Sequence, residues 1–327
     1  MGKTIIVTGA AGFIGSHTVE ALCGRGDAVV GMDSFSDYYS PARKRANLGE
    51  VRSGLASADA FRFVEGDVRS AETVGALLSE GSVDAVVHLA AMGGVRTSVE
   101  RPVDYLDVNL MGTLNVLEQC RRHGVEHVVF ASTSSVYGAT TRLPFVESDP
   151  CDRPLAPYPA SKRAAELIGH SYCHVHGMHF TALRFFTVYG PRGRPDMMPY
   201  KILAHLLLGE EVTLYGDGRM VRDWTYVKDI AAGIAQAVDR PGGYQIFNLG
   251  RGEPVVVAEF IAEVERQTGR SARFARGAAP NTDMQRTHAD VGQARQALGY
   301  RPEVSVEEGV GHMLDWFRRA VLSEEPT

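Results

Sequence analysis

Cysteine is scarce in this 327-residue chain: Cys23, Cys120, Cys151 and Cys173 are its four, widely scattered and without metal-type spacing. That excludes a disulfide framework and leaves reduced, incidental thiols as the expectation. His174, His176 and His179 cluster, but with no carboxylate or thiolate company, so no metal is expected. No apolar run approaches the length of a membrane span. There is no basic block either, and 34 Lys+Arg against 39 Asp+Glu leave a net charge of -5, which offers nucleic acid no electrostatic footprint. The opening MGKTIIVTG enters its apolar run too early for a secretory signal, and Ile6 stands where a myristoylation signal needs Ser or Thr. What remains fits a globular chain with 44% apolar residues to build its core, expected to be cytoplasmic and to have neither nucleic acid nor membrane as partner.

Strand-length apolar runs at 4–7, 28–32, 61–64, 85–89, 127–131 and 180–183 alternate with helical patterns at 14–25, 71–78, 105–122 and 159–174. Such alternation requires crossover connections, hence α/β architecture: a Rossmann-type doubly wound parallel sheet with helices on both faces. From about Thr187 the rhythm changes to helices at 199–208, 227–238, 258–268 and 306–319 joined by Gly/Pro-rich loops and short strands. The expected division is a dinucleotide domain over 1–186 and a smaller α/β substrate lobe over 187–327, some of whose segments return to the first domain. Ligands of open α/β sheets bind at the carboxyl edge, which this lobe would close. Repeats and low-complexity segments are absent, and only residues 323–327 read as disordered.

In TGAAGFIG, Gly9, Gly12 and Gly15, with Phe13 and Ile14 between the last two, join the first strand to the first helix. Glycine lets backbone approach a pyrophosphate, and the helix N-terminus offers free N–H groups. Asp33 ends the second strand, where a carboxylate takes both hydroxyls of an adenosine ribose and repels a 2′-phosphate; NAD is expected rather than NADP. Arg43, Lys44 and Arg45 could offset that repulsion, or form a solvated helix face. Tyr158 and Lys162, four residues apart on a predicted helix, share one face. A phenol with a pKa near 10 is a poor base at neutral pH. An ammonium and a positive nicotinamide ring would both favour phenolate, able to take a proton from a sugar hydroxyl.

The G-x-x-G-x-x-G spacing, STSSVYG and Tyr158-x-x-x-Lys162 resemble the short-chain dehydrogenase/reductase superfamily. From Thr8 to Asp290 the chain is similar to its extended subgroup, NAD-dependent epimerases and dehydratases acting on nucleotide sugars. The resemblance implies a catalytic Thr133 beside Tyr158 and Lys162, and adenine and cofactor contacts from Asp67, Val68, Leu89, Ala90 and Ala91. It also implies support of the site by Asn109. For Asp67 a helix N-cap stays open. The stretch 184–201, RFFTVYGPRGRPDMMPYK, with Thr187 followed by Arg192 and Arg194, resembles UDP-glucuronate 4-epimerases, which implies that Thr187 and Arg194 would meet the uronate. For Arg194 an exposed turn is the other reading. By the same resemblance Arg222 of VRDWTYVKDI would contact the diphosphate, unless it merely pairs with Asp223. Asp283 would hold the uridine ribose, Arg286 would add a phosphate contact, and Arg96, Ser134 and Ser135 complete the substrate set. Ser135 replaces the Glu of subgroup dehydratases and decarboxylases, which disfavours elimination and decarboxylation.

Three departures touch the site: Ser34 for an Asn, Pro159 for an Ala and Thr282 for a Gly. The expected activity is interconversion of UDP-glucuronate and UDP-galacturonate through a 4-keto intermediate, with NAD retained, in a homodimer built on the helices at 105–122 and 159–174. A UDP-glucose 4-epimerase, a UDP-glucuronate decarboxylase and a non-catalytic NAD-binding regulator are the rivals.

Overall fold

The computed structural model describes residues 2–215 and 218–322, so the expectation for 323–327 lies outside the described residues. The six predicted strands form as β1 (Thr4–Thr8), β2 (Ala28–Asp33), β3 (Phe61–Glu65), β4 (Ala85–His88), β5 (His127–Thr133) and β6 (His179–Phe185). Short strands follow: β7 (Thr187–Tyr189), β8 (Thr213–Tyr215), β9 (Val221–Arg222) and β10 (Trp224–Tyr226). The remaining three are β11 (Tyr244–Leu249), β12 (Val255–Val256) and β13 (Ala275–Gly277). The main sheet runs β11-β6-β5-β4-β1-β2-β3 with every neighbour parallel. Strand order reverses between β1 and β4, which opens the ligand crevice at their carboxyl ends.

The helices are α1 (Phe13–Gly24), α2 (Pro41–Gly54), α3 (Ala71–Ser79), α4 (Val95–Glu100), α5 (Pro102–Leu106) and α6 (Gly112–Arg122). Beyond them lie α7 (Pro157–His176), α8 (Met198–Leu208), α9 (Val227–Val238), α10 (Val257–Thr268), α11 (Gly292–Leu298) and α12 (Val306–Ala320). Because both faces of a parallel sheet are covered, its strands are apolar throughout rather than alternating. Ile5 and Val7 face one core with Val19, Leu22, Phe247 and Leu249, while Ile6 faces another with Leu77, Val116, Phe130 and Phe180. The segment after residue 187 supplies β11 to the sheet edge and α9 to the face carrying α1, so the two segments interleave.

The helix predicted over 105–122 is interrupted. Residues Asp107–Met111 wind as a π-type turn between α5 and α6. The Asn109 amide accounts for it: its oxygen accepts from Met92 N at 2.8 Å and its nitrogen donates to Met92 O at 2.9 Å and Ser161 Oγ at 3.1 Å. The extra residue in the turn aims this side chain at the loop after β4, a use to which π-bulges are often put.

β5, β6 and α7 are tied by charge as well as by packing. Glu166 and Arg184, both without exposure, meet through two hydrogen bonds of 3.0 and 2.9 Å, and Ser132 Oγ donates to Glu166 at 2.5 Å. Against the cost of burial, these donors hold the Glu166 carboxyl below the usual glutamate range. Breaking such a pair strands a buried charge, so Glu166→Gln should lower stability by about 3–5 kcal/mol in equilibrium urea unfolding. A loss under about 1 kcal/mol would mean that Arg184 finds other partners.

Candidate active site

The turn after β1 is held by its backbone: Gly9 N and Ala10 N both donate to Met32 O, at 2.7 and 3.1 Å. Gly9 sits at φ +72°, and a Cβ there would come within 2.8 Å of Ala90 N, so glycine is required. α1 then begins with no side-chain cap, leaving its first N–H groups and positive dipole end to an anion. Tyr39, which sequence reasoning missed, lies beside this cradle. Its hydroxyl is buried and its O–H finds no acceptor among the described residues, and Gly12 is the glycine it faces. An orphaned donor beside a glycine turn fits a pyrophosphate oxygen.

Asp33 closes β2, 8% exposed, accepting from Phe35 N at 2.9 Å. Burial pushes its carboxyl up, with Lys44 opposing. Lys44 corrects the reading of 43–45 as a solvated face: it is buried, 3.7 Å from Asp33, and donates to Ser36 O at 3.0 Å. Arg45 alone of the three is exposed, stacked over Phe35. Asp67 is not a helix cap, since Ser70 caps α3; Asp67 is held by Arg69 at 2.7 Å, which lowers its pKa. Val68, Leu89, Ala90 and Ala91 line the same cleft as Gly9, Gly12, Phe13, Ile14 and Gly15. Asn109 does not line it and acts only through Met92 and Ser161.

Thr133 ends β5, Tyr158 lies in the first turn of α7, and Lys162 follows one turn later; all three line this cleft of about 790 Å³. The Pro157 and Pro159 rings sit in that first turn, where missing N–H groups cost little. Lys162 is fully buried and donates to Ala131 O at 2.8 Å. Burial pushes its pKa down to about 7, with Glu166 pulling the other way. Burial also raises the Tyr158 phenol, while a hydrogen bond from Thr133 and the charge of Arg194 draw it back. Thr133 and Arg194 are protein groups that favour phenolate in this arrangement. The Tyr105 ring meets Tyr158 edge-on at 6.1 Å and fixes its tilt.

Beyond Tyr158 the cleft wall is Ser134, Ser135, Thr187 and Arg194. Arg194 is not an exposed turn residue: its side chain is 22% exposed, gripped by Asp196 at 2.9 and 2.6 Å, and it lies over Tyr38. Gly93 makes room for it, since a Cβ there would collide with the guanidinium. Further out, Arg96 pairs with Asp283 at 2.5 Å and stacks on Tyr215 at 3.9 Å. Arg222 does not pair with Asp223, whose buried carboxylate takes the backbone N–H groups of Arg251, Gly252 and Ala289. Instead Arg222 donates to Val221 O at 2.9 Å and lines the cleft, its pKa lowered by burial. Arg286 is not brought to the cleft; it is exposed on the segment that bridges to Val221. Tyr38, Lys201 and Tyr215 also line the cleft and were missed. Only the paired aromatics in SFSDYYSP gave a signal.

Residues 5–250 match the NAD dependent epimerase/dehydratase family. UDP-glucuronate 4-epimerase 4 of Arabidopsis thaliana is 39% identical over 334 residues, covering 97% of this chain and 75% of that protein. A UDP-glucuronic acid 4-epimerase from Bacillus cereus, solved with UDP-glucuronic acid and NAD, superposes with a TM-score of 0.86 at 32% identity, covering 97% of this chain and 99% of that one. A dTDP-glucose 4,6-dehydratase from Streptomyces venezuelae superposes at 0.90 with 32% identity, covering 99% of both chains. The fold therefore does not choose the reaction.

The buried lysine has a thermodynamic signature. With a folded pKa of about 7 against 10.5 ordinarily, the unfolded chain binds more protons between those values, so stability rises with pH across that window. Cofactor-stripped protein should gain roughly 2 kcal/mol from Lys162 between about pH 7 and pH 9 in urea unfolding. Lys162→Met should abolish that gain and be the more stable protein at neutral pH. An identical pH slope in both proteins would contradict a depressed Lys162 pKa.

Proposed function

Because the chain belongs to the NAD dependent epimerase/dehydratase family, we propose that it is a cytoplasmic UDP-glucuronate 4-epimerase that keeps NAD bound through turnover. The observation that carries the substrate assignment is the cation beside the base: Arg194 and Thr133 both act on the Tyr158 phenol from the same wall as Ser134, Ser135 and Thr187. A uronate needs its carboxylate held while its neighbouring carbon reacts, and a guanidinium suits that geometry. The glycine turn, the free α1 N-terminus, Tyr39, Asp33 and Lys162 would hold the dinucleotide. When bound, NAD supplies the acceptor and donor of hydride at carbon 4.

Tyr158 takes the proton from the 4-hydroxyl, which Thr133 orients, and the sugar becomes a ketone. The ketosugar turns about its link to the diphosphate while Arg222 holds the phosphates and Asp283 with Arg96 flanks the uridine. Tyr158 returns the proton once the opposite face is presented, and no net oxidation results. A 4-keto uronate is a β-keto acid and loses carbon dioxide when its carboxylate bond aligns with the carbonyl π system. Ser134, Ser135, Thr187 and Arg194 keep the carboxylate out of that alignment.

The assembly we infer is a homodimer. Val99, Val103, Leu106, Met111, Leu167 and Val175 are exposed along α4–α7, 42–74% each. Scattered exposed apolar residues need no explanation, but six on one group of helices support a protein interface. Leu167→Glu should shift sedimentation from dimer to monomer; a wild type already monomeric at micromolar concentration would remove the proposal.

The activity is tested by incubating purified protein, without added NAD, with UDP-glucuronate and with UDP-glucose side by side. NMR should show UDP-galacturonate forming and little UDP-galactose. Tyr158→Phe should retain NAD yet lose epimerisation by roughly two to four orders of magnitude. UDP-pentose as the main wild-type product would overturn the reading.

A further inference from the structure

Arg192 was grouped with Arg194 in sequence, and the structure separates them. Arg192 lies in the turn from Gly190 to Gly193, closed by Gly193 N donating to Gly190 O at 3.3 Å. It holds φ at +61°, a left-handed conformation that an arginine adopts only under constraint. Its side chain turns away from the cleft and is 7% exposed overall. Nε donates to Glu50 on α2 at 3.1 Å, and one terminal nitrogen donates to Glu20 on α1. The other terminal nitrogen is buried with no hydrogen-bond partner among the described residues.

Neighbouring groups brace the same turn. His17 Nε2, also from α1, lies 2.9 Å from Pro191 O, and His17 Nδ1 is 3.5 Å from Glu20. Trp316 of α12 donates to the second oxygen of Glu50 at 3.2 Å. Although burial pushes Glu20 up, His17 and Arg192 bring it down to about 2, while burial lowers His17. The turn that ends at Arg194 is thus fastened to the two helices that follow β1 and β2, the helices flanking the dinucleotide cradle.

We propose that Arg192 is a positioning residue for this reaction: it clamps the 190–194 turn to α1 and α2 and so sets where Arg194 stands against Tyr158 and the substrate carboxylate. The proposal rests on the UDP-uronate reading above. Its consequence lies in the fate of the 4-keto uronate. If the carboxylate drifts into alignment, the C5–C6 bond breaks and carbon dioxide leaves. The electron pair enters the ketone as an enolate, and C5 then takes a proton. The two electrons removed from carbon 4 stay on the dinucleotide, and UDP-4-ketopentose is released. An ångström of displacement at Arg194 is enough to change that partition.

The test compares holoenzyme of wild type, Arg192→Met, Arg192→Lys and the uncharged triple variant Arg192→Met/Glu20→Gln/Glu50→Gln, which removes the stranded carboxylates if the single variant fails to fold. Products of UDP-glucuronate turnover are separated into epimer, ketopentose and carbon dioxide. Affinity for free UDP and NAD content after denaturation are measured on the same samples. Arg192→Met and the triple variant should raise the ketopentose share roughly tenfold, as Arg194→Ala should, with free-UDP affinity and NAD content within about twofold of wild type. Arg192→Lys, which keeps the charge but not the fork, should fall between. Wild-type partition in both Met-bearing variants overturns the proposal, and so does a loss of UDP affinity and NAD with unchanged partition. A wild type that epimerises UDP-glucose but not UDP-glucuronate overturns the underlying reading, and the role of Arg192 with it.

Discussion

Glu166 and Arg184 face each other with no exposure, between the helix that carries Tyr158 and Lys162 and the strand that leads into Thr187. Ser132, which donates to the same carboxylate, is followed directly by Thr133. One buried ion pair thus sets the mutual position of base, lysine, hydroxyl and the start of the sugar wall. Such pairs are weak sources of net stability, because desolvation takes back most of the attraction. Their geometric demand is high, however, and that is what a site requires of its frame.

Four cations of the cleft share one pattern. Lys44 stands by Asp33, Arg69 holds Asp67, Arg96 holds Asp283 and Arg194 holds Asp196. Each positive group is kept extended by a nearby carboxylate, rather than free to search. An anionic ligand then meets donors already in place and loses less entropy in ordering them. The arrangement also keeps a crevice meant for a dinucleotide and a nucleotide sugar from carrying a large unbalanced charge.

Legibility followed the range of the contacts involved. Gly9 to Gly15 and Tyr158 to Lys162 were readable because their geometry is complete within one strand–turn–helix or one helical turn. The six strands up to β6 were readable because each repeats the same apolar run. β11 was missed: its run is partly polar, and only its pairing with β6 marks it as a sheet strand. The π-type turn at Asp107–Met111 was missed for a similar reason, since the group that stabilises it is Met92. Lys44 was misjudged because helical spacing cannot tell an outward face from one folded over a buried carboxylate.

The two arginines at 192 and 194 draw the line most sharply. Local sequence determined that both sit in one glycine-rich turn after β7, each charged and each within reach of the same region. Which way each points was decided elsewhere, by Glu20 and Glu50, 172 and 142 residues away from Arg192, and by the space that Gly93 leaves for Arg194. Residue type and spacing determine what chemistry a segment can offer. Only the packed chain decides which partner desolvates a charge first, because burial and ion pairing belong to the space shared by several segments and to none of them alone.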